Sequence, residues 1–176
     1  MSEPYYPPPA FYFSVSLLGS ATLLAAASDL DASFQEVSGI EAHWETEDVA
    51  EGGENRFTHK LPRPAKYSNL VLKRGVVTRD SFLAEWFGQS VGSGLSLPLL
   101  PQNLLVLLLN EEGLPLVAWG FVNAWPLKWE VSPMRSQENR ILTESLELSY
   151  NYFERVNLGS PASVAVKLAQ LTARLT

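Results

Sequence analysis

Apolar and polar residues alternate along much of this chain, which is the pattern of strands that bury one face. Residues 10–18, AFYFSVSLL, place Phe11, Phe13, Val15 and Leu17 on one side. Residues 34–39, FQEVSG, and 40–49, IEAHWETEDV, alternate in the same way. In the second of these, Ile40, Ala42, Trp44 and Thr46 share one side, and Glu41, His43, Glu45 and Glu47 share the other. The pattern predicts a mainly β protein.

More strands follow, separated by turn signals. The segments RFTHKL (56–61), SNLVLKRG (68–75), LPLVAWGFVNAW (114–125) and NRILTESLELSYNYF (139–153) continue the pattern. The longest apolar run, LPLLPQNLLVLLL at 97–109, is interrupted by Pro101, Gln102 and Asn103. It is far shorter than the roughly 20 residues that a membrane-spanning helix needs. We therefore predict a buried strand over about 103–110, and no membrane anchor.

Two segments have helical periodicity. RDSFLAEWFGQSV (79–91) contains a candidate N-cap, Asp80 or Ser81, and places Phe82, Leu83, Trp86 and Phe87 at helical spacing for one apolar face. SPASVAVKLAQLTARLT (160–176) begins with Ser160 as N-cap and Pro161 as first helical residue, with a stripe of Val164, Leu168, Leu171 and Leu175. Residues 19–33, rich in alanine, fit either a short helix or a loop.

Charge is sharply segregated around the pair Gly52-Gly53. Residues 29–54 hold nine Asp or Glu and no Lys or Arg, whereas residues 55–79 hold seven Lys or Arg and no Asp or Glu. The glycines predict a tight turn that joins an acidic strand to a basic one, in a hairpin over about 40–62. Exposed cross-strand ion pairs contribute only about 0 to 1 kcal/mol each. Contact with an identical hairpin on a neighbouring copy explains the segregation better than stability does.

Composition narrows the classes of function. The 176 residues suit a single domain, and the net charge of −6 disfavours a nucleic-acid-binding surface. There is no cysteine, so disulfides and thiolate chemistry are excluded. The N-terminal MSEPYYPPP has no basic residue and four prolines, which argues against a signal peptide.

No motif indicates catalysis or a cofactor. There is no G-x-S-x-G elbow, and EGGEN lacks the third glycine and the following helix of a phosphate loop. His43 and His59 lie on either side of the glycine turn, where a hairpin could bring them together with Glu41 or Glu45 as a metal site. Exposure of both histidines on hairpin strands is the favoured interpretation, so we predict no metal, no cofactor and no enzyme.

Three tryptophans are close together in the sequence, at Trp119, Trp125 and Trp129. They would suit the aromatic platform of a carbohydrate-binding β-sandwich. Trp119 and Phe121 have the same parity, which favours core packing for this strand, and Pro126 is expected to bend it. A monomeric carbohydrate-binding module remains the alternative function.

An ordered set of segments resembles a known family. VSGIEAHWETEDVAEGGENRFTHKLP, KYSNLVLKRG, a helix with EWF, VAWGFVNAWPLKW and ESLELSYNYF together are similar to the tail-tube proteins of contractile phage tails and injection systems. The likeness covers about 34–153, with residues 11–18 as the matching first strand. It implies an antiparallel β-sandwich or barrel-like fold with one flanking helix.

The resemblance also implies an assembly. Six copies form a ring whose inner strands line a lumen, rings stack into a tube, and a sheath drives the tube through a target envelope. The loop matching 45–62 contacts other rings in the family. The implied interface residues are Glu45, Glu47, Glu51, Gly52, Gly53, Glu54, Asn55, Arg56 and Lys60. Assembly in the bacterial cytoplasm is expected, followed by service in a virion tail or an extracellular particle.

Two features depart from a plain tube subunit: the alanine-rich segment 19–33 and the helix over 160–176. The segment EGGENRFTHKLP (51–62) resembles more closely the variant at the base of the tube, which joins the tube to the spike and baseplate. We therefore divide the chain into a tube domain, 1–158, and a C-terminal helical extension, 159–176. The extension either docks on a baseplate partner or covers the protomer's own sheet, and its narrow stripe predicts that it is dispensable for folding.

Overall fold

An eight-stranded antiparallel sheet and a separate two-stranded hairpin make up most of the fold. The computed structural model describes residues 12–17, 31–53, 56–76, 81–92, 96, 98–134, 141–158 and 161–175. The strands are β1 Tyr12–Leu17, β2 Asp31–Phe34, β3 Glu36–Ser38, β4 Ala42–Val49, β5 His59–Tyr67, β6 Leu70–Gly75, β7 Gln102–Leu109, β8 Pro115–Val131, β9 Thr143–Ser149 and β10 Tyr152–Asn157. The helices are α1 Phe82–Gly92 and α2 Pro161–Leu175. The predicted mainly β, antiparallel class with a flanking helix is confirmed.

The large sheet curls back toward itself without closing. Its strand order is β2-β1-β7-β8-β9-β6-β3, so the two strands at its edges are consecutive in the chain. Gln35 alone separates them, and its amide donates a hydrogen bond to the Lys73 carbonyl. The single strand predicted over 34–39 is therefore wrong: β2 pairs with β1 and β3 pairs with β6. The result is the barrel-like core that was expected.

Strand β8 is the longest of the described strands and links the two halves of the sheet. One edge of β8 pairs with two strands in succession. Residues up to Val122 pair with β10, and residues from Trp125 onward pair with β9. The strand predicted over 139–153 is accordingly two strands, because the chain turns at Tyr150 and Asn151 to follow β8. Asn123 has φ of 52°, and the register with β9 shifts between Pro126 and Lys128, so the pairing of β8 is irregular there. Pro126 lies at this irregularity, and the strand continues to Val131.

The main core lies between the curled sheet and α1. It contains Phe34, Leu70, Leu72, Leu104, Phe121, Leu146 and Leu148 from the strands and Leu83, Trp86 and Phe87 from the helix. The helix begins where Ser81 Oγ accepts a hydrogen bond from the Ala84 amide at 3.3 Å, so Ser81 is the N-cap; Asp80 lies outside the described residues. Leu83, Trp86 and Phe87 are buried as the predicted apolar face requires, whereas Phe82, the fourth residue of that face, is 41% exposed.

A second core lies under α2, on the other side of the sheet. Leu171 and Leu175 of the helix pack with Leu105, Ala118, Val122 and Leu158. The helix approaches so closely that a Cβ at Gly120 would lie 2.2 Å from Leu175 Cδ1. Leu168 is half-buried in the same cluster, whereas Ser160 and the side chain of Val164 lie outside the described residues. Since α2 covers the protomer's own sheet, the packing argues against a dispensable helix.

The N-terminal predictions are only partly within the described residues. The first strand, predicted over 10–18, is described over Tyr12–Leu17. Of the alanine-rich segment 19–33, only residues 31–33 are described, and they belong to β2. Neither described helix is long and apolar enough to cross a membrane.

Candidate assembly surface

The charged hairpin is a two-stranded sheet of its own, formed by β4 and β5. It spans 42–67, longer than the 40–62 predicted. Every residue of 46–49 and of 59–64 is exposed. Pro62 and Pro64 lie in β5, which is possible because a two-stranded hairpin consists of edge strands. The hairpin therefore contributes little to the core and presents both faces outward.

The root of the hairpin, which we define as Gly39 and Tyr67 at its two ends, is in contrast packed against the core. The Tyr150 hydroxyl donates a hydrogen bond to the Gly39 carbonyl at 3.2 Å, and burial raises the pKa of Tyr150 to about 12. Tyr67, the last residue of β5, packs with Tyr150 and Phe153, with ring centroids 5.9 Å away from each. Gly39 has φ of 82°, and a Cβ there would lie 1.8 Å from the Asn69 carbonyl oxygen. Both ends of the hairpin therefore lie in a tightly packed part of the molecule.

The tip contains the predicted glycine turn. Gly52 and Gly53 form the turn, and Gly53 alone of the two has a positive φ, 97°. No atom lies within 4 Å of a Cβ placed at either glycine. Glu54 and Asn55, two of the predicted interface residues, lie outside the described residues. Arg56 and Lys60 follow on the basic arm and are exposed.

Opposite charges on the two arms pair with each other. Glu45 accepts a hydrogen bond from Lys66 Nζ at 2.6 Å, and this bond lowers the pKa of Glu45. Glu47 lies 3.7 Å from Arg63 Nε, and Lys60 faces Asp48 across the hairpin. The charge segregation in the sequence is therefore used within the hairpin, as a cross-strand arrangement. Contact between the hairpin charges and another copy stays a prediction.

The two histidines are not brought together. His43 faces Lys66 near the root, whereas His59 faces Val49 near the tip. Glu51 accepts a hydrogen bond from His59 Nε2 at 3.1 Å, and His43 Nδ1 lies 3.8 Å from Glu41. The suggested juxtaposition of the histidines was wrong because the strand register places them six positions apart. Among the described residues, no group of three or more His, Asp or Glu is placed to hold a metal ion.

The hairpin also carries exposed apolar side chains that the predicted interface omitted. Trp44 is 67% exposed, and Phe57, Leu61 and Val49 are exposed as well. Trp44 lies opposite Ala65, and Thr46 lies opposite Pro62, so this face of the hairpin has few charges. The alternation in the sequence put Trp44 on the side away from the acids. That placement was the available signal, since tryptophan is enriched among the residues that dominate protein interfaces.

Several strands of the large sheet have a side without a strand partner among the described residues: β2, β10, β3 and the end of β8. β3 pairs with β6 on one side only. β8 beyond Trp125 pairs with β9 on one side, and its other side is open because β7 ends its pairing at Ala124. Unpaired strand edges are prone to pair with another chain. The four strands β3, β6, β9 and the end of β8 thus form a sheet that is open at both sides.

Comparison with known proteins identifies the class to which this fold belongs. The model of the T4-like virus tail tube protein gp19 family matches residues 9–154, so the chain belongs to that family. It is a structural tube subunit of a contractile tail or injection system. No curated protein matches the chain in sequence. No comparison supports the carbohydrate-binding alternative, and Trp119 and Trp125 are partly buried in the sheet.

Solved structures show a similar fold. A chain of the six-fold symmetrised anti-feeding prophage baseplate is 25% identical, with a TM-score of 0.69 over 91% of this chain and 100% of that chain. A chain of the PVC extracellular contractile injection system, in its extended sheath–tube complex, is 21% identical, with a TM-score of 0.68 over 86% of this chain and 93% of that one. Hcp1 from Salmonella typhimurium shares the fold at 12% identity, with a TM-score of 0.53 over 86% and 89% of the chains.

Proposed function

We propose that six copies of this chain close a ring, that the rings stack into a hollow tube, and that the hairpin β4–β5 makes contacts between copies. The observation that carries the proposal is the hairpin itself. In a member of a tail-tube family, it is anchored at Gly39 and Tyr150 yet exposed along both strands. Such an element stabilises its own protomer little, so contact between subunits is the use that its structure supports best.

Ring closure is supported by the open edges of the sheet. The free side of β8 beyond Trp125 on one copy can pair with the free side of β3 on the next. This contact joins two different surfaces, and repeated contacts of that type close into a ring when the rotation between copies permits. Six copies are proposed because the baseplate structure that holds a similar chain is described as six-fold symmetrised.

The position that we propose is the base of the tube, next to the baseplate and spike. The chain is 25% identical to a baseplate chain of the anti-feeding prophage and aligns with all of it. Identity to a chain of the PVC sheath–tube complex is 21%. In this position the partners are further tube rings on one side, spike or baseplate proteins on the other, and the sheath around the tube.

The role is structural and non-enzymatic, without a cofactor and without recognition of a nucleic-acid sequence. The particle is assembled in the bacterial cytoplasm and acts as a virion tail or as an extracellular injection particle. The family to which the chain belongs and the extracellular system that contains a similar chain support the structural role in a tail or an extracellular particle.

Electron microscopy of the purified protein, alone and mixed with the spike protein of the same particle, tests the proposal. We expect six-fold rings, and attachment of the spike to a ring. Arg56→Glu with Lys60→Glu should weaken stacking or spike attachment while circular dichroism stays normal. Arg155→Glu with Arg174→Glu, on β10 and α2, is the matched charge reversal outside the hairpin and should assemble normally. A protein that stays monomeric at all concentrations would refute the proposed ring. Rings that do not bind the spike protein would refute the proposed position at the base of the tube.

A further inference from the structure

A groove between β10 and α2 is lined by side chains of both elements. Its volume is about 170 Å³, and its lining residues are Val156, Lys167, Gln170, Leu171 and Arg174. Val156 and Leu171 belong to the second core and form an apolar floor. Lys167, Gln170 and Arg174 recur at three- and four-residue spacing, so they share one side of α2. The groove therefore combines an apolar floor with a polar wall.

One edge of β10, the strand beside this groove, has no strand partner among the described residues. The Leu158 amide donates a hydrogen bond to the Leu116 carbonyl at 3.0 Å, and the backbone groups of an antiparallel strand alternate between its two sides. Phe153, Arg155 and Asn157 therefore direct their amides and carbonyls away from β8. The Asn157 carbonyl accepts a hydrogen bond from Lys167 Nζ at 2.8 Å, which agrees with this alternation.

One extended segment can occupy both the open edge and the groove. A strand added to β10 forms hydrogen bonds with the edge, and its alternate side chains face α2. The Cα atoms of Lys167 and Arg174 are about 10.5 Å apart along the helix axis at 1.5 Å per residue. Residues four positions apart in a strand are about 13 Å apart and lie on one face. Two glutamates at that spacing therefore reach the two cations.

The charges at the groove favour an acidic segment. Lys167 Nζ donates to the Asn157 and Leu158 carbonyls at 2.8 and 3.2 Å, which fixes the ammonium at the end of β10. The Arg174 side chain is 71% exposed, and its Nη1 lies 3.5 Å from Glu154. None of the residues that line the groove is acidic. Two cations thus lie beside the single acid Glu154, in a chain whose net charge is −6.

We propose that this groove binds an extended segment of a partner protein, which adds to the edge of β10 as an antiparallel strand. The segment places an apolar side chain over the floor and an acidic side chain on each side of it, toward Lys167 and Arg174. We expect the antiparallel direction because all the described strand pairs have it. The groove involves neither the hairpin β4–β5, nor β3, nor the end of β8, so the inference does not depend on the proposed tube.

A synthetic peptide tests the proposal directly. The probe is Glu-Thr-Val-Thr-Glu with a fluorescent N-terminal label and an amidated C-terminus, so that both glutamates and the valine share one strand face. Its fluorescence anisotropy should rise to saturation with the full-length protein. Replacing both glutamates with lysine should weaken binding by about tenfold, because two weak attractions become repulsions. Absence of binding, or equal binding of the lysine peptide, would overturn the proposal.

Methylation of peptide nitrogens separates strand addition from simple attraction of charge. In the antiparallel arrangement, the two threonines of the peptide direct their backbone groups toward β10, and the valine directs its own away. N-methylation of both threonines should therefore abolish binding, whereas N-methylation of the valine should preserve it. Any other order of the two methylated peptides would overturn addition to this edge.

A charge reversal on the protein locates the site. Arg174→Glu should weaken binding of the glutamate peptide and strengthen binding of the lysine peptide, which a loss of stability alone does not produce. Arg63→Glu, on the exposed hairpin, is the control and should bind both peptides like the parent protein. An unchanged preference in Arg174→Glu would overturn the assignment to this groove. Rings formed by a protein that fails these tests would leave the tube proposal standing, and peptide binding without rings would refute the tube alone.

Discussion

Arg74 and Glu144 form a buried ion pair at the junction of four elements. Arg74 Nε donates to Glu144 Oε1, and Arg74 Nη2 donates to Ser81 Oγ at 2.6 Å. Ser81 caps α1, and the Arg74 guanidinium carbon lies 5.1 Å from the centre of the Phe34 ring. One side chain thus connects β6 to β9, to β2 and to the start of the flanking helix.

Breaking this ion pair should lower the free energy of unfolding. Glu144→Gln removes the carboxylate that accepts from Arg74 Nε, so we expect the free energy of unfolding to fall by about 3–5 kcal/mol. The double variant Arg74→Met with Glu144→Leu removes both charges of the pair and should recover part of the loss, because apolar replacements need no desolvation of charge. Denaturant unfolding of the three proteins measures this, and a double variant as unstable as Glu144→Gln would contradict it.

Tyr150 makes the stability of the folded protein depend on pH in the alkaline range. Burial raises its pKa to about 12, above the usual value near 10, so the folded state favours the neutral phenol. Its contribution to stability is fully present below pH 10 and is lost as the pH rises from about 10 to about 12. In Tyr150→Phe, stability should fall less steeply over that window, as followed by urea unfolding at each pH. Tyr152→Phe, on an exposed tyrosine, is the control, and equal slopes in all three proteins would refute the assignment.

At the scale of elements, α2 is part of the fold, although it lies beyond the part of the chain that the family model matches. Two of its leucines complete the second core, and Asn103 Nδ2 donates a hydrogen bond to the Leu175 carbonyl at 2.9 Å. Lys167 Nζ donates to the Asn157 and Leu158 carbonyls at 2.8 and 3.2 Å, which fixes the middle of the helix to the end of β10. The helix is therefore held by the protomer at its middle and at its C-terminal end.

Removing residues 159–176 should consequently destabilise the protein, contrary to the expectation from the narrow stripe. Leu171→Ala alone should lower the free energy of unfolding by about 2–5 kcal/mol, the range for a buried leucine. Val166→Ala, on the exposed side of α2, should change it by less than about 0.5 kcal/mol. Thermal and denaturant unfolding show whether α2 is needed for stability. A truncated protein with an unchanged unfolding midpoint would mean that the helix is dispensable for folding.

At the scale of the whole molecule, the core and the hairpin should respond separately to mutation. Gly53 has φ of 97° in the exposed tip, where valine is strained by about 1–3 kcal/mol, and Gly52 has no such constraint. We expect Gly53→Val to distort the tip and impair stacking while near-UV circular dichroism of the core stays normal, and Gly52→Val to assemble normally.

Gly113 supplies the control for this prediction. It has φ of 76° in the exposed turn between β7 and β8, with no atom within 4 Å of an added Cβ. Gly113→Val therefore introduces comparable backbone strain away from the hairpin, and its rings should stack. If Gly53→Val and Gly113→Val assembled equally well, the shape of the hairpin tip would have no role in assembly.

The sequence by itself determined the class of fold, the two helices, the hairpin and its glycine turn. These follow from local periodicity, capping residues and turn chemistry, which depend on neighbours only a few residues away. The ordered motifs also led to the tail-tube family, to which the chain belongs. The interface assigned to the hairpin stays a prediction, as does the boundary at residue 158.

Only the tertiary structure decided which residues meet across the chain. Pairing of β2 and β3 with different strands, the turn between β9 and β10, and the burial of Leu171 and Leu175 against Gly120 all depend on contacts between distant segments. The same is true of the ion pair between Arg74 and Glu144, 70 residues apart, and of the separation of His43 from His59. Alternation tells which residues share a face, but strand register and sheet order decide what that face touches, and these are set by packing of the whole chain.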